Sequence, residues 1–330
     1  MGRRRVAVGG MSTRPLRAGV IFPGQGSQVV GMAGDVVKAY PAAADLFRRA
    51  EKVLGYDLFA LTQLGPEDRL RETQYSQPAI YVANLALYAA VADDLSVVAS
   101  SGHSFGEYCS LTIADALTFE EGLRLVNERG LAMQRAAEIA PGGMAAILGL
   151  DEAKVSEAVR AAERRTGLRV QLANLNSPGQ IVVSGDLAAV RAAGEEAMAL
   201  KAKRVVPLNV SGAWHSALME PAVDGFSKVV AAARVETPKL TVIGNIYAKP
   251  LVEPDDIRKR LVESLTHQVR WHDTALRLLE EKLDIVVEFG ASPVLSPLFK
   301  RMPNVPTVVH VGDLSAVERL RTTLGTLAQA

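Results

Sequence analysis

The sequence predicts an α/β protein in which a large domain carries a small ferredoxin-like insert. An apolar run over residues 96–100 feeds the glycine-flanked stretch Gly102-His103-Ser104-Phe105-Gly106 and then a helical segment, the strand, turn and helix order of a nucleophile elbow. Between residues 141 and 208 the patterning runs strand, helix, strand, strand, helix, strand, which is the split βαβ of a ferredoxin-like module. Beyond it, strand and helix patterns return the chain to the larger domain.

Composition bounds what can be built. The chain has 330 residues, 48% hydrophobic and 22% charged, with a net charge of +1, as expected of a globular protein of one large or two modest domains. The near-neutral balance removes the main electrostatic argument for nucleic acid or an anionic membrane as partner. A single cysteine, Cys109, excludes an internal disulfide framework and any cysteine-rich metal site, so no metal is expected. Residues 1–17 carry Arg3, Arg4, Arg5, Arg14 and Arg17 without the apolar segment of a signal peptide and read as a loose tail, with Met11 an alternative start. No window approaches the roughly 20 apolar residues of a membrane span. A cytoplasmic protein is expected.

In chain order, residues 18–22 form a buried-type strand that runs into Pro23-Gly24-Gln25-Gly26-Ser27-Gln28. That loop is either a plain strand-to-helix turn or a source of a backbone N–H for an oxyanion hole. Helical patterning covers residues 29–54 and 77–95, the latter with Ala79, Val82, Ala83, Ala86 and Leu87 on a core face. At the elbow, flanking glycines permit a sharp turn and the following helix aims its N-terminal N–H groups at developing negative charge, which makes Ser104 the candidate nucleophile. A glycine-flanked turn with a capping serine would look the same.

Residues 118–137 are helical and carry Arg129 among Leu123, Val126 and Met133. Its guanidinium either snorkels to the surface or clamps a carboxylate through two parallel hydrogen bonds. After the Pro141-Gly142-Gly143 break, strands are expected at 144–150, 168–175, 180–184 and 203–208, and helices at 151–165 and 187–197. His215 follows in the aperiodic Ser211-Gly212-Ala213-Trp214-His215-Ser216, as a solvated loop residue or as a general base. The rest reads as strand 241–246, helices 254–266 and 273–282, strand 285–289, and a turn at 290–293 into a further helix. The large domain thus takes residues 18–140 and 209–330, and the insert 141–208.

Taken together, GQGSQ at 24–28, TQYSQPAIYVANLALY at 73–88, GHSFGEY at 102–108, LVNERGLAMQ at 125–134, GGMAAILGL at 142–150, NLNSPGQIVVSG at 174–185, GAWHSALM at 212–219, VRWHD at 269–273 and EFGASPVLSPLFKR at 288–301 resemble malonyl-CoA:acyl carrier protein transacylases and the acyltransferase domains of polyketide synthases. The resemblance spans residues 18–301. It implies that the large domain is α/β-hydrolase-like, that Ser104 accepts the acyl group and that His215 is its base. It implies further that Arg129 pairs with the free malonyl carboxylate and that the N–H groups of Gln25 and Phe105 form the oxyanion hole. In this resemblance no acidic residue orients the histidine; a main-chain carbonyl at Arg270 does so.

The implied reaction is ping-pong transfer of malonyl from coenzyme A to the phosphopantetheine thiol of an acyl carrier protein, free or within a polyketide synthase. No cofactor is expected, since the coenzyme A thioester is the substrate and the partner brings the phosphopantetheine. Gly212, Ala213 and Trp214 resemble the pattern of malonyl-type enzymes, with Trp214 in place of the usual phenylalanine, and His103 and the bulky Phe105 adjoin the nucleophile. This predicts a pocket narrowed toward unsubstituted malonyl, with hydroxy-, amino- or methoxymalonyl as alternatives. A free-standing, trans-acting monomer is expected. A thioesterase or carboxylesterase on the same elbow and a non-catalytic scaffold that docks carrier proteins are the competing readings.

Overall fold

The computed structural model describes residues 15–300 and 302–329. Most of the expected tail, residues 1–14, lies outside the described residues, and residue 17 is not tail. The Arg17 N–H donates to Asp284 Oδ2 at 2.8 Å and its guanidinium reaches the carbonyl of Glu281 at 2.8 Å, so Arg17 opens the first strand.

Strands β1 (Arg17–Phe22), β2 (Ser96–Gly102), β7 (Thr241–Ile243), β8 (Pro250–Leu251), β9 (Ile285–Phe289) and β10 (Thr307–Val311) form a 6-stranded sheet; β3 (Gly143–Leu148), β4 (Val170–Ser177), β5 (Gln180–Gly185) and β6 (Arg204–Pro207) form a 4-stranded one. The large sheet runs β10-β9-β1-β2-β7-β8, parallel except where β8 returns against β7. β9 is buried along its whole length, as a central parallel strand covered on both faces must be. Alternate residues feed opposite cores: Val20, Phe22, Val287 and Phe289 pack on one side, and Ile21, Val286, Ala99 and Ile243 join Trp271 and Leu278 on the other.

The small sheet runs β4-β5-β3-β6, all antiparallel, the strand order of a ferredoxin-like module. Ala145, Ile147 and Val183 turn toward the helices Glu152–Thr166 and Leu187–Ala199, while Met144 and Val182 belong to the large core. The predicted fold class holds. β4 also joins the large domain directly: Leu175 N–H donates to the Val269 carbonyl at 2.9 Å and Val269 N–H to the Ala173 carbonyl at 2.8 Å.

Several elements differ from expectation for local reasons. The helix expected over 29–54 divides into Gly34–Ala39 and Pro41–Leu54 because Pro41, lacking an N–H, starts a helix more readily than it continues one. The helix expected from 77 begins at Thr73, carrying Pro78 within it. Helix 254–266 stops at Glu263 and leaves a turn over residues 264–267, and the strand at 241 ends at Ile243 before Gly244-Asn245. Helices Leu58–Leu64 and Glu220–Ala231 were not anticipated. Among the described residues no helix is long and apolar enough to cross a membrane.

Candidate active site

β2 delivers Gly102, His103 and Ser104 to the C-terminal edge of the large sheet, and the helix Gly106–Ile113 starts at once. Ser104 sits at φ 53°, a left-handed conformation that costs a non-glycine residue about 1–2 kcal/mol and persists only when its surroundings enforce it. Close backbone packing does part of this. A Cβ on Gly102 would lie 1.9 Å from the Gly106 carbonyl carbon, and one on Gly106 would lie 2.4 Å from the Phe22 oxygen. Gly24 serves the neighbouring loop in the same way, since its Cβ would fall 2.7 Å from the His103 oxygen.

Ser104 Oγ lies 2.7 Å from His215 Nε2. On the other side of the ring, Nδ1 is 2.8 Å from the Ser264 carbonyl and 3.1 Å from that of His267. Carbonyls only accept, so the Nδ1 proton is fixed there and the Nε2 lone pair faces the serine. The histidine is therefore oriented by main-chain oxygens, but the expected one is wrong. The Arg270 carbonyl instead accepts from Thr274 N–H at 2.9 Å, closing the first turn of the helix Trp271–Leu279, while its guanidinium pairs with Asp273. Ser264 and His267 are available because the preceding helix ends at Glu263.

Gln171, on β4, braces this arrangement. Its Nε2 donates to the carbonyls of His215 and Thr266, each at 3.2 Å, and its Oε1 accepts from Ala217 N–H at 3.0 Å. Burial, then Arg129 and His103, push the His215 imidazole down to about 3, so it is neutral at ordinary pH with its Nε2 lone pair free toward Ser104.

Arg129 is fully buried on the helix Phe119–Ile139. Its Nη1 donates to Gln77 Oε1 at 2.9 Å and its Nη2 to Ser104 Oγ at 3.3 Å. Both partners are neutral, and Nε has no partner among the described residues. A guanidinium buried this way is costly unless an anion completes it. The surface reading of Arg129 is excluded.

These groups line a cleft of about 180 Å³ between the large sheet and the inner face of the small one, where Met144 and Val182 form the far wall. Gln25 and Phe105 line it too, and neither N–H has an acceptor among the described residues. His103 faces the cleft with Nε2 2.9 Å from Asn176 Oδ1, and Trp214 forms part of the wall. Gly212 and Ala213 do not. A Cβ on Gly212 would strike the Trp214 ring at 2.6 Å and Ala213 is packed behind it against Gly142, so both shape the pocket only by seating the indole. A wider groove of about 650 Å³ runs past Leu148, Lys203 and His272 and contains none of Ser104, His215 or Arg129.

Residues 20–320 match the acyl transferase domain family. The chain belongs to that family. Among relatives of this acyltransferase, the malonyl CoA-acyl carrier protein transacylase of Haemophilus influenzae is 38% identical over 301 residues, covering 90% of this chain and 93% of the relative. The polyketide biosynthesis protein ThaF of Burkholderia thailandensis is 40% identical over 300 residues, 89% of this chain but 25% of that longer protein. A solved complex of a type II polyketide synthase acyl-carrier protein with its malonyl-transacylase matches with a TM-score of 0.89 at 36% identity, covering 93% of this chain and 99% of that one.

Sequence reasoning brought Ser104, His215 and Arg129 together and missed other residues that hold the candidate site, among them Gln77, Gln171, Asn245, Ser264 and His267. Gln77 lay in a quoted motif, so its signal was present. Asn245, whose Oδ1 takes the Ser104 N–H at 2.7 Å, follows a glycine at a strand end. Nothing in the local sequence marks Gln171 or Ser264, which act through distant contacts.

Proposed function

We propose that this acyltransferase moves a malonyl group from coenzyme A to the phosphopantetheine thiol of an acyl carrier protein through a malonyl-Ser104 ester. One observation carries the reading: a single hydroxyl lies 2.7 Å from a neutral imidazole and 3.3 Å from a buried guanidinium whose hydrogen-bond partners among the described residues are neutral. Oγ attacks the thioester carbonyl as Nε2 of His215 takes its proton, and the oxyanion is held by the N–H groups of Gln25 and Phe105. The C–S bond breaks, and His215 returns the proton to the departing coenzyme A thiol. The carrier thiol then attacks the ester, passes its proton to His215, and Ser104 leaves with that proton. No bound cofactor enters these steps, and a coenzyme A thioester substrate goes with a cytoplasmic location.

Arg129 selects for acids. A charge-assisted contact to the malonyl carboxylate contributes about 1.5–3 kcal/mol, a roughly tenfold to more than hundredfold preference over a plain acyl group. Phe105 and Trp214 leave a small cleft, which favours unsubstituted malonyl over larger extender groups. The test is intact-protein mass spectrometry after mixing with a panel of acyl-CoAs, followed by addition of a carrier protein. A malonyl adduct that passes to the carrier is expected, and Arg129→Ala should lower malonyl transfer by that factor while acetyl transfer holds. An unchanged malonyl-to-acetyl ratio would overturn the carboxylate assignment, and rapid release of free malonate without a carrier would make the protein a hydrolase.

A further inference from the structure

We infer that Asn245, at the end of β7, is a positioning residue that holds the nucleophile turn in its reactive shape, with Glu107 as its anchor. This rests on the assignment of Ser104 as the acyl acceptor. Asn245 is buried and spans the turn from behind: Oδ1 accepts the Ser104 N–H at 2.7 Å and Nδ2 donates to the Gly102 carbonyl at 2.7 Å. The amide orientation is unambiguous, because the Ser104 N–H can only donate and the Gly102 carbonyl can only accept. One planar side chain therefore fixes the approach of Gly102 to Ser104, the residue that holds the left-handed conformation.

The clip is itself clamped. The Asn245 N–H donates to Glu107 Oε2 at 2.9 Å, on the first turn of the helix that follows Ser104, and its carbonyl accepts from Arg270 N–H at 3.0 Å. Asn245 and Glu107 line a separate cavity of about 100 Å³ behind the turn and neither lines the cleft, so neither touches substrate. Because the Ser104 N–H is already engaged, it is withdrawn from the oxyanion, which leaves that role to Gln25 and Phe105. An alanine at 245 would strand the Ser104 N–H and the buried Gly102 carbonyl together and let the strained turn relax, moving Oγ off the line to His215.

The experiment uses the full-length chain and two probes. With malonyl-CoA, Asn245→Ala is expected to lower kcat roughly 10- to 100-fold, the cost of a misplaced reacting group. KM should stay within about threefold, because the Arg129–Gln77 pair is untouched. Glu107→Gln, which keeps an acceptor for the Asn245 N–H, should retain most of the rate that Glu107→Ala loses. With phenylmethanesulfonyl fluoride, which reports Ser104 reactivity independently of malonyl recognition, Asn245→Ala should react more slowly than the parent by a similar factor. If Asn245→Ala does not fold, Asn245→Asp, which keeps the acceptor and loses the donor, carries the same measurements. Sulfonylation at the parent rate, or a fall in kcat matched by a rise in KM, overturns the inference. A parent protein that reacts with the sulfonyl fluoride but forms no malonyl ester overturns the functional reading and leaves the sulfonylation comparison to decide on Asn245.

Discussion

Ser104 and His215 face each other across 2.7 Å but are held in different ways. The serine stands on a turn whose glycines are sequence neighbours and whose strand and helix are continuous with it. The histidine stands in a loop, steadied by carbonyls 49 and 52 residues downstream and by Gln171 from another sheet. The serine's device is largely local, with a backbone packed too tightly to move and Asn245 of β7 as a long-range brace. A composite one is only as firm as the surfaces that bring its parts together.

The comparison breaks most sharply at Gly102. A methyl group there would overlap the Gly106 backbone at 1.9–2.0 Å, so Gly102→Ala must distort the turn. Loss of acyl-enzyme formation is expected, with destabilisation of about 3 kcal/mol or more by chemical denaturation, the scale of severe backbone and overpacking changes. Wild-type stability in this variant would mean that the elbow is less rigid than its glycines imply.

The histidine side should yield more gently. Gln171→Ala removes two donors and an acceptor from the loop while leaving Ser104 and Arg129 in place. Coenzyme A release is expected to slow roughly tenfold with a small change in melting temperature. Gln171→Glu, which keeps the acceptor for Ala217 N–H, should fall between the two. A variant indistinguishable from the parent would assign all orientation of His215 to Ser264 and His267.

The smallest effect concerns pH. In the proposed mechanism His215 reacts as the neutral imidazole, and burial, then Arg129 and His103, push it from 6.5 down to about 3. Acylation rate should therefore stay level as pH falls through the range where an ordinary histidine protonates, between about 7 and 6. In Arg129→Ala one of the depressing charges is gone and the acid limb should move upward. Stability, unlike the rate, is drawn down across that range. The unfolded chain binds a proton at His215 near 6.5 and the folded one does not, so stability present above that value is lost progressively toward pH 3. Denaturation of His215→Gln at several pH values should show a shallower acid loss.

The same contrast explains what the sequence disclosed. The elbow, the strand over 285–289 and the ferredoxin-like alternation are written in contiguous patterning, and all are present in the fold. Arg129, like Ser104 and His215, was open on its residues alone, since an arginine on an apolar helix usually lies at the surface and reads as a clamp only once its burial is known. Arg270 misled because its carbonyl is consumed by the helix it starts, and the true partners depend on where the preceding helix ends, the least legible property of any helix. Helix Glu220–Ala231 went unread behind the aperiodic stretch at 211–216.

The bond pair between β4 and Val269 stitches the small sheet to the very segment whose carbonyls steady His215. For anyone building chimeras, the insert is consequently not a free-standing cassette. A transplant of residues 143–207 from a relative would arrive with a foreign edge against the host's 264–270 stretch, so donor and host must be recombined with both pieces drawn from one parent.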